Sequence, residues 1–132
     1  ASEANIPFVI HAGEAAGAES VKWAVEFGAR RIGHGLRALE CERTTALLRD
    51  RKIPLELCYT SNLQTKAVES ESQYPLREFL DNGIKVTINT DNRTVSNTTV
   101  TKELQFIQEH YRITDEEIRL MMINAVDTAF IH

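Results

Sequence analysis

Cysteine, histidine and long apolar runs are all scarce in this chain of 132 residues. The two cysteines, Cys41 and Cys58, lie far apart and form no CxxC pair, so two reduced thiols in a cytosolic protein are expected. No apolar stretch approaches the roughly 20 residues that a membrane span needs, and Ala1-Ser2-Glu3-Ala4-Asn5 carries no basic and apolar signal segment. These readings give a cytoplasmic protein with no membrane partner. The formal net charge of −4 supplies no electrostatic reason to expect nucleic acid. Glycine-rich phosphate loops of the GxxxxGK(S/T) or GxGxxG kind are missing, which counts against a nucleotide-binding module without catalysis. The histidines are only His11, His34, His110 and His132, and no two of them form a His-x-His pair.

What remains is an ordinary soluble composition, 42% hydrophobic and 26% charged, enough for one domain over residues 1–132 with a real core. Strand-like and helix-like patterns alternate along it. Ile6–His11 reads as a buried strand. Val21, Ala24 and Val25 fall at helical spacing, and Gly28 is placed to stop that helix. Arg31–His34 is a short second strand, Leu39–Leu48 a second helix, and Pro54–Cys58 a third strand whose proline stands first, where it is tolerated. Thr60–Gln73 is polar and aperiodic and reads as a long loop. Leu76, Phe79 and Leu80 mark a helix that Gly83 ends. Ile84–Asn89, rich in β-branched residues, is a fourth strand. Thr99–Tyr111 and Thr114–Ala125 are further helices, the second opening on a Thr114…Glu117 capping box. Strand–helix alternation of this kind argues for an α/β fold with a parallel sheet and right-handed crossovers. A closed eight-stranded barrel typically needs about 250 residues. A half barrel completed by a second copy, a fragment of a longer enzyme and a small open α/β sheet all stay open at this point.

Chemistry collects where strands meet loops. His11-Ala12-Gly13-Glu14 ends the first strand, Gly33-His34-Gly35 the second, and Asn89-Thr90-Asp91-Asn92 the fourth. A neutral imidazole is the commonest zinc ligand, and a nearby glutamate is a candidate general acid. Glycines around His34 let the backbone turn sharply and a substrate approach. A carboxylate such as Asp91 at the end of a buried strand is costly unless paired or metal-bound. An Asx turn or helix cap opening Arg93–Asn97 is the competing reading of Asp91-Asn92. Each signal is weak alone. Two histidines, a glutamate and an aspartate at successive strand ends fit metal-assisted hydrolysis. Cys58 has no activating partner in sequence and receives no catalytic role.

These motifs, in this order and at these separations, resemble the adenosine deaminase family of metal-dependent aminohydrolases. The resemblance runs from Ile6–Glu14 through Arg31-Ile32-Gly33-His34-Gly35 to Asn89-Thr90-Asp91 and the final helices. It implies a (βα)4 half of a TIM-type (βα)8 barrel, its last four strands, with an extra C-terminal helix. By the same resemblance His11 and Asp91 are zinc ligands, Glu14 protonates N1 of a purine nucleoside, and His34 orients or deprotonates the attacking water. Gly13 and Asn92 then contact the substrate, Asn92 at N7, where many members carry Asp. The family's His-x-His pair is absent, so the implied zinc site is incomplete and the chain by itself is expected to be inactive. Tyr59 stands where proline is expected after the cysteine. A companion N-terminal half, or a second copy pairing edge to edge to form a homodimer, would complete the barrel.

Overall fold

The computed structural model describes residues 6–131. The remarks above on Ala1-Ser2-Glu3-Ala4-Asn5 and on His132 lie outside these residues. Four parallel strands form one sheet in the order β1 (Val9–Ala12), β2 (Arg31–His34), β3 (Leu55–Leu57) and β4 (Val86–Ile88). Register is continuous across it: His11 pairs with Gly33, Gly33 with Glu56, and Glu56 with Thr87. Spatial order follows chain order. Right-handed crossovers between consecutive neighbours then carry the connecting helices Ala18–Glu26, Glu42–Asp50 and Leu76–Asp81 to one face, as in a barrel segment and not in a doubly wound sheet.

Alternation along the strands separates the two faces. Ile32, Leu55, Leu57, Val86 and Ile88 are buried beneath the helices. The opposite face carries Val9, His11, Arg31, Glu56 and Asn89, none of them buried, together with Gly33 and Thr87, which are. On that face Arg31 Nε lies 3.1 Å from Glu56 Oε1, out of line for a hydrogen bond, and the guanidinium sits 4.0 Å over the Phe130 ring.

The helices are α1 (Ala18–Glu26), α2 (Glu42–Asp50), α3 (Tyr59–Gln64), α4 (Leu76–Asp81), α5 (Arg93–Ser96), α6 (Val100–Tyr111) and α7 (Asp115–Asp127). Most follow from their sequences. In α1 the buried residues Ala18, Val21, Ala24 and Val25 keep helical spacing, and Gly28 (φ 95°) turns the chain after it. Helix α7 opens on the expected capping box, Thr114 and Glu117 each satisfying the other's backbone amide.

Three expectations need correction. The first strand is shorter than Ile6–His11 and is not buried: Val9 and His11 are exposed. Pro7 has no N–H to contribute, and among the described residues β1 has a neighbour on one side only. The second helix is a 3-10 turn over Leu36–Glu40 followed by α2, not one run from Leu39. Thr60–Gln73 is not a loop throughout, because α3 occupies its start and a 3-10 turn, Glu71–Gln73, its end.

Candidate active site

The C-terminal ends of the strands open onto a cavity of about 300 Å³ whose lining includes His11, His34, Glu56, Cys58, Asn89 and Asp91. His11 comes from β1 and leans across the neighbouring strand. Its ring occupies the space beside Gly33, where an added Cβ would meet His11 Nε2 at 2.9 Å and Cγ at 3.0 Å. The pairing of β1 with β2 thus demands a residue without a side chain opposite the histidine.

His34 ends β2 in a left-handed backbone (φ 67°), followed by Gly35 in the same region (φ 70°). Two successive residues there make the tight turn expected from the sequence, and for a non-glycine it is a strained conformation. The turn drives the His34 ring into the protein, where 2% of the residue is exposed. It meets His11 edge to face, with centroids 4.8 Å apart. His34 Nε2 lies 3.5 Å from Glu14 Oε2, and Nδ1 lies 2.9 Å from Asn62 Nδ2.

Glu14 follows the β1 rim and is also reached by the Thr65 hydroxyl at 3.4 Å. Gly13, just before it, has φ 68° and no room for a side chain, since a Cβ would approach Val21 Cγ2 to 2.6 Å. The Gly13 amide donates to Ser20 Oγ at 2.9 Å. Its lack of a side chain therefore serves the packing of α1 against the rim.

Asp91 lies beyond β4, again with positive φ (55°), and accepts a 2.7 Å hydrogen bond from the Ser61 hydroxyl at Oδ2. It is exposed, so the cost of burying a carboxylate, invoked from sequence, does not apply. The Asn92 side-chain oxygen accepts from the amides of Thr94 and Val95 and caps α5. The cap reading thus holds for that oxygen, while the Nδ2 group retains its donors.

Helix α3, missed in sequence, and the residue after it touch three of these groups, through Ser61, Asn62 and Thr65. Its first turn is tied down by Glu103 of α6, which is 1% exposed. The Glu103 carboxylate accepts from the Thr60 amide (3.1 Å), the Thr60 hydroxyl and the Thr98 hydroxyl (2.7 Å). A buried carboxylate holding three donors is a rigid anchor. A further support is aromatic: Tyr59, in the place expected for proline, packs edge to face on Tyr74 and against Phe106. In the sequence the region shows only a run of hydroxyl and amide side chains after a strand, in Cys58-Tyr59-Thr60-Ser61-Asn62.

Cys58 also faces the cavity. Burial, then the charges of Asp91 and Glu56, push its thiol up to about 12. It stays protonated near neutral pH. Among the described residues no group of three or more His, Cys, Asp and Glu side chains is placed to hold a metal ion. His11 and Asp91 line one cavity and offer two donors of the kinds zinc prefers.

The adenosine deaminase family model matches residues 1–132, the whole chain. The chain belongs to the adenosine deaminase family. It is 48% identical over 131 residues to an adenosine deaminase of Haemophilus ducreyi (strain 35000HP / ATCC 700724), covering 99% of this chain and 38% of that protein. It is 47% identical over 131 residues to an adenosine deaminase of Clostridium botulinum (strain Hall / ATCC 3502 / NCTC 13319 / Type A), covering 98% and 39%. Among solved structures, adenine deaminase from Arthrobacter aurescens superposes with a TM-score of 0.94 at 26% identity, over all of this chain and 41% of that one. A cog1816 amidohydrolase from Burkhoderia ambifaria, solved with bound Zn, gives a TM-score of 0.90 at 22% identity, over 100% of this chain and 38% of that one. The chain thus spans well under half the length of the relatives it matches, and its four-stranded sheet is a segment of their barrel fold.

Proposed function

We propose that this chain supplies the C-terminal half of a zinc-dependent adenosine deaminase site. One observation carries the reading: His11, His34 and Asp91, from three different strand ends, line a single cavity, with Glu14 3.5 Å from His34. In this reading His11 and Asp91 hold the metal. Ser61 fixes the Asp91 carboxylate, as hydrogen bonds to metal-binding carboxylates generally do. When bound, zinc lowers the pKa of water to near 7 and so makes a nucleophile available at neutral pH. Glu14 delivers a proton to N1 of the purine while oxygen adds at C6. His34 orients the attacking oxygen, and Asn92 donates its amide to N7. The proton of the added hydroxyl then passes to N6, the C6–N6 bond breaks as C6=O forms, and ammonia leaves.

Catalytic zinc typically takes three protein ligands, and two are offered here. The remaining donors belong, in this proposal, to a companion half that carries the His-x-His strand. Exposed apolar side chains support a companion. They sit on α1 (Trp23), just past its end (Phe27) and on α7 (Leu120, Ile123, Val126), while none of the large hydrophobic residues from Gly28 to Thr94 is exposed.

The test measures zinc content and conversion of adenosine to inosine, with the chain alone and with a companion segment bearing the His-x-His strand. Turnover is expected only in the complemented protein, and His11→Ala or Asp91→Ala should abolish both readouts. Robust turnover by the chain alone would overturn the incomplete site. A complemented, zinc-loaded protein inert toward adenosine would overturn the reaction.

A further inference from the structure

Behind the site runs a buried polar chain that no step above uses. Asn62 in α3 is 0% exposed and Tyr74, before α4, is 2% exposed. The Tyr74 hydroxyl donates to Asn62 Oδ1 at 3.4 Å, and Asn62 Nδ2 reaches His34 Nδ1 at 2.9 Å. Beyond the ring, His34 Nε2 faces Glu14 Oε2.

A carboxamide has one donor end and one acceptor end, so its orientation dictates which nitrogen of the imidazole carries the proton. With Nδ2 toward the ring, Nδ1 is a bare acceptor and the proton sits on Nε2. The reverse orientation would place a proton on Nδ1 and turn the NH₂ group toward Tyr74. The tyrosine proton would then have no acceptor, because its bond to Asn62 is the only one that hydroxyl makes among the described residues. A buried donor without an acceptor is disfavoured. Burial also pushes the Tyr74 phenol well above its ordinary pKa, so it stays a donor.

We infer that Asn62, locked by Tyr74, is a positioning residue that holds His34 as the Nε2–H tautomer, so that the ring enters the site as a hydrogen-bond donor and not as a base. This rests on the placement of His34 in the site proposed above. It narrows the sequence expectation: a neutral ring protonated at Nε2 can orient the oxygen adding at C6 and stabilise charge developing there, but its cavity-side nitrogen cannot take a proton from that oxygen.

Long-range ¹H–¹⁵N correlation of the imidazoles reads this directly. It uses the intact ¹⁵N-labelled protein above the ordinary imidazole pKa, with His34 assigned by loss of its signals in His34→Gln. Wild type should show a pyridine-type Nδ1 and a pyrrole-type Nε2. Asn62→Asp, an acceptor of the same shape, should transfer the proton to Nδ1, and Tyr74→Phe should give a mixture of both forms. In a deaminating preparation Asn62→Asp should lower kcat by about 10- to 100-fold with little change in KM. A proton on Nδ1 in wild type overturns the inference even if adenosine is deaminated. A pattern unchanged in Asn62→Asp does the same. The expected tautomer in a protein that never deaminates adenosine would sink the proposed reaction and leave the tautomer assignment standing. Should Asn62→Asp fail to fold, wild type and Tyr74→Phe decide alone.

Discussion

Glycines at the rim act by leaving room for other residues. Gly33 is the clearest case, because its missing Cβ is where the His11 ring lies. Gly33→Ala is expected to displace that ring, weaken zinc binding by at least about tenfold and cost about 1–3 kcal/mol through overpacking. Isothermal titration with zinc and thermal unfolding would check the two effects separately. Unchanged zinc affinity would show that His11 is not held as described. Left-handed backbone at His34 and Asp91 has the same local character. Short polar side chains tolerate that region better than bulky ones, and at both positions it sets where a functional group points. From sequence, glycines flanking His34 announced a turn. The positive φ of Asp91 had no such flag, because Asn89-Thr90-Asp91-Asn92 contains no glycine.

Elements recognised from periodicity were the longer ones whose partners lie nearby in the chain. Helices α1, α6 and α7 and the last three strands fall close to their expected places. Helix α3 was invisible because six residues are too few to display a 3.6-residue period. Distant donors and acceptors hold it in place: Glu103, 43 residues away from Thr60, and Asp91, 30 residues from Ser61. Helix α7 is anchored differently. Arg77 of α4 pairs with Glu117 in its first turn at 2.6 and 3.1 Å. Hydrogen bonds from Arg77 and Thr114 lower the Glu117 pKa to about 2 from an ordinary 4.5. A carboxylate depressed on folding adds stability that is present above its unfolded pKa and lost as pH falls through the folded one. Glu117→Gln should therefore destabilise the protein by about 1 kcal/mol at neutral pH, a figure reduced for solvent screening of a partly exposed pair. The difference from wild type should fade as pH drops from about 4.5 toward 2. Urea unfolding across that range measures it, and a gap that persists at the acid end would refute the ion-pair account.

At the scale of the whole molecule, exposed apolar side chains mark where the sheet stops. Val9 on β1 and Trp23 and Phe27 in and after α1 lie at one end. At the other, Leu120, Met122, Ile123 and Val126 are exposed on α7, which packs against β4. Single exposed hydrophobics are ordinary, but grouped ones mark contact surfaces. Val95 and Val100 are exposed as well, beside the strand ends, but the groups on α1 and α7 fit neighbouring βα units better than a flat docking partner. Phe27→Lys combined with Val126→Lys should leave stability within about 1 kcal/mol of wild type, each being an exposed site. It should also reduce self-association and weaken capture of the companion segment. Sedimentation velocity gives the first result and a complementation titration the second. Association that does not respond to either charge would place the interface elsewhere. The sheet edges are the other half of this surface, since β1 and β4 each have one neighbour among the described residues and so present unpaired backbone groups.

Strand–helix alternation, the parallel sheet, the capping box of α7 and the rim positions of His11, His34 and Asp91 were determined by the sequence alone. They rest on periodicity and short-range stereochemistry, which a chain carries wherever it is read. Tertiary structure alone decided that β1 lies exposed, that α3 exists, and that Glu56 and Asn89 share the cavity with His11. It also decided that Asn62, itself bonded by Tyr74, meets Nδ1 of His34. Each of these depends on hydrogen bonds or strand pairing between residues far apart in the chain. Local pattern holds no information about such partners until the sheet brings them together.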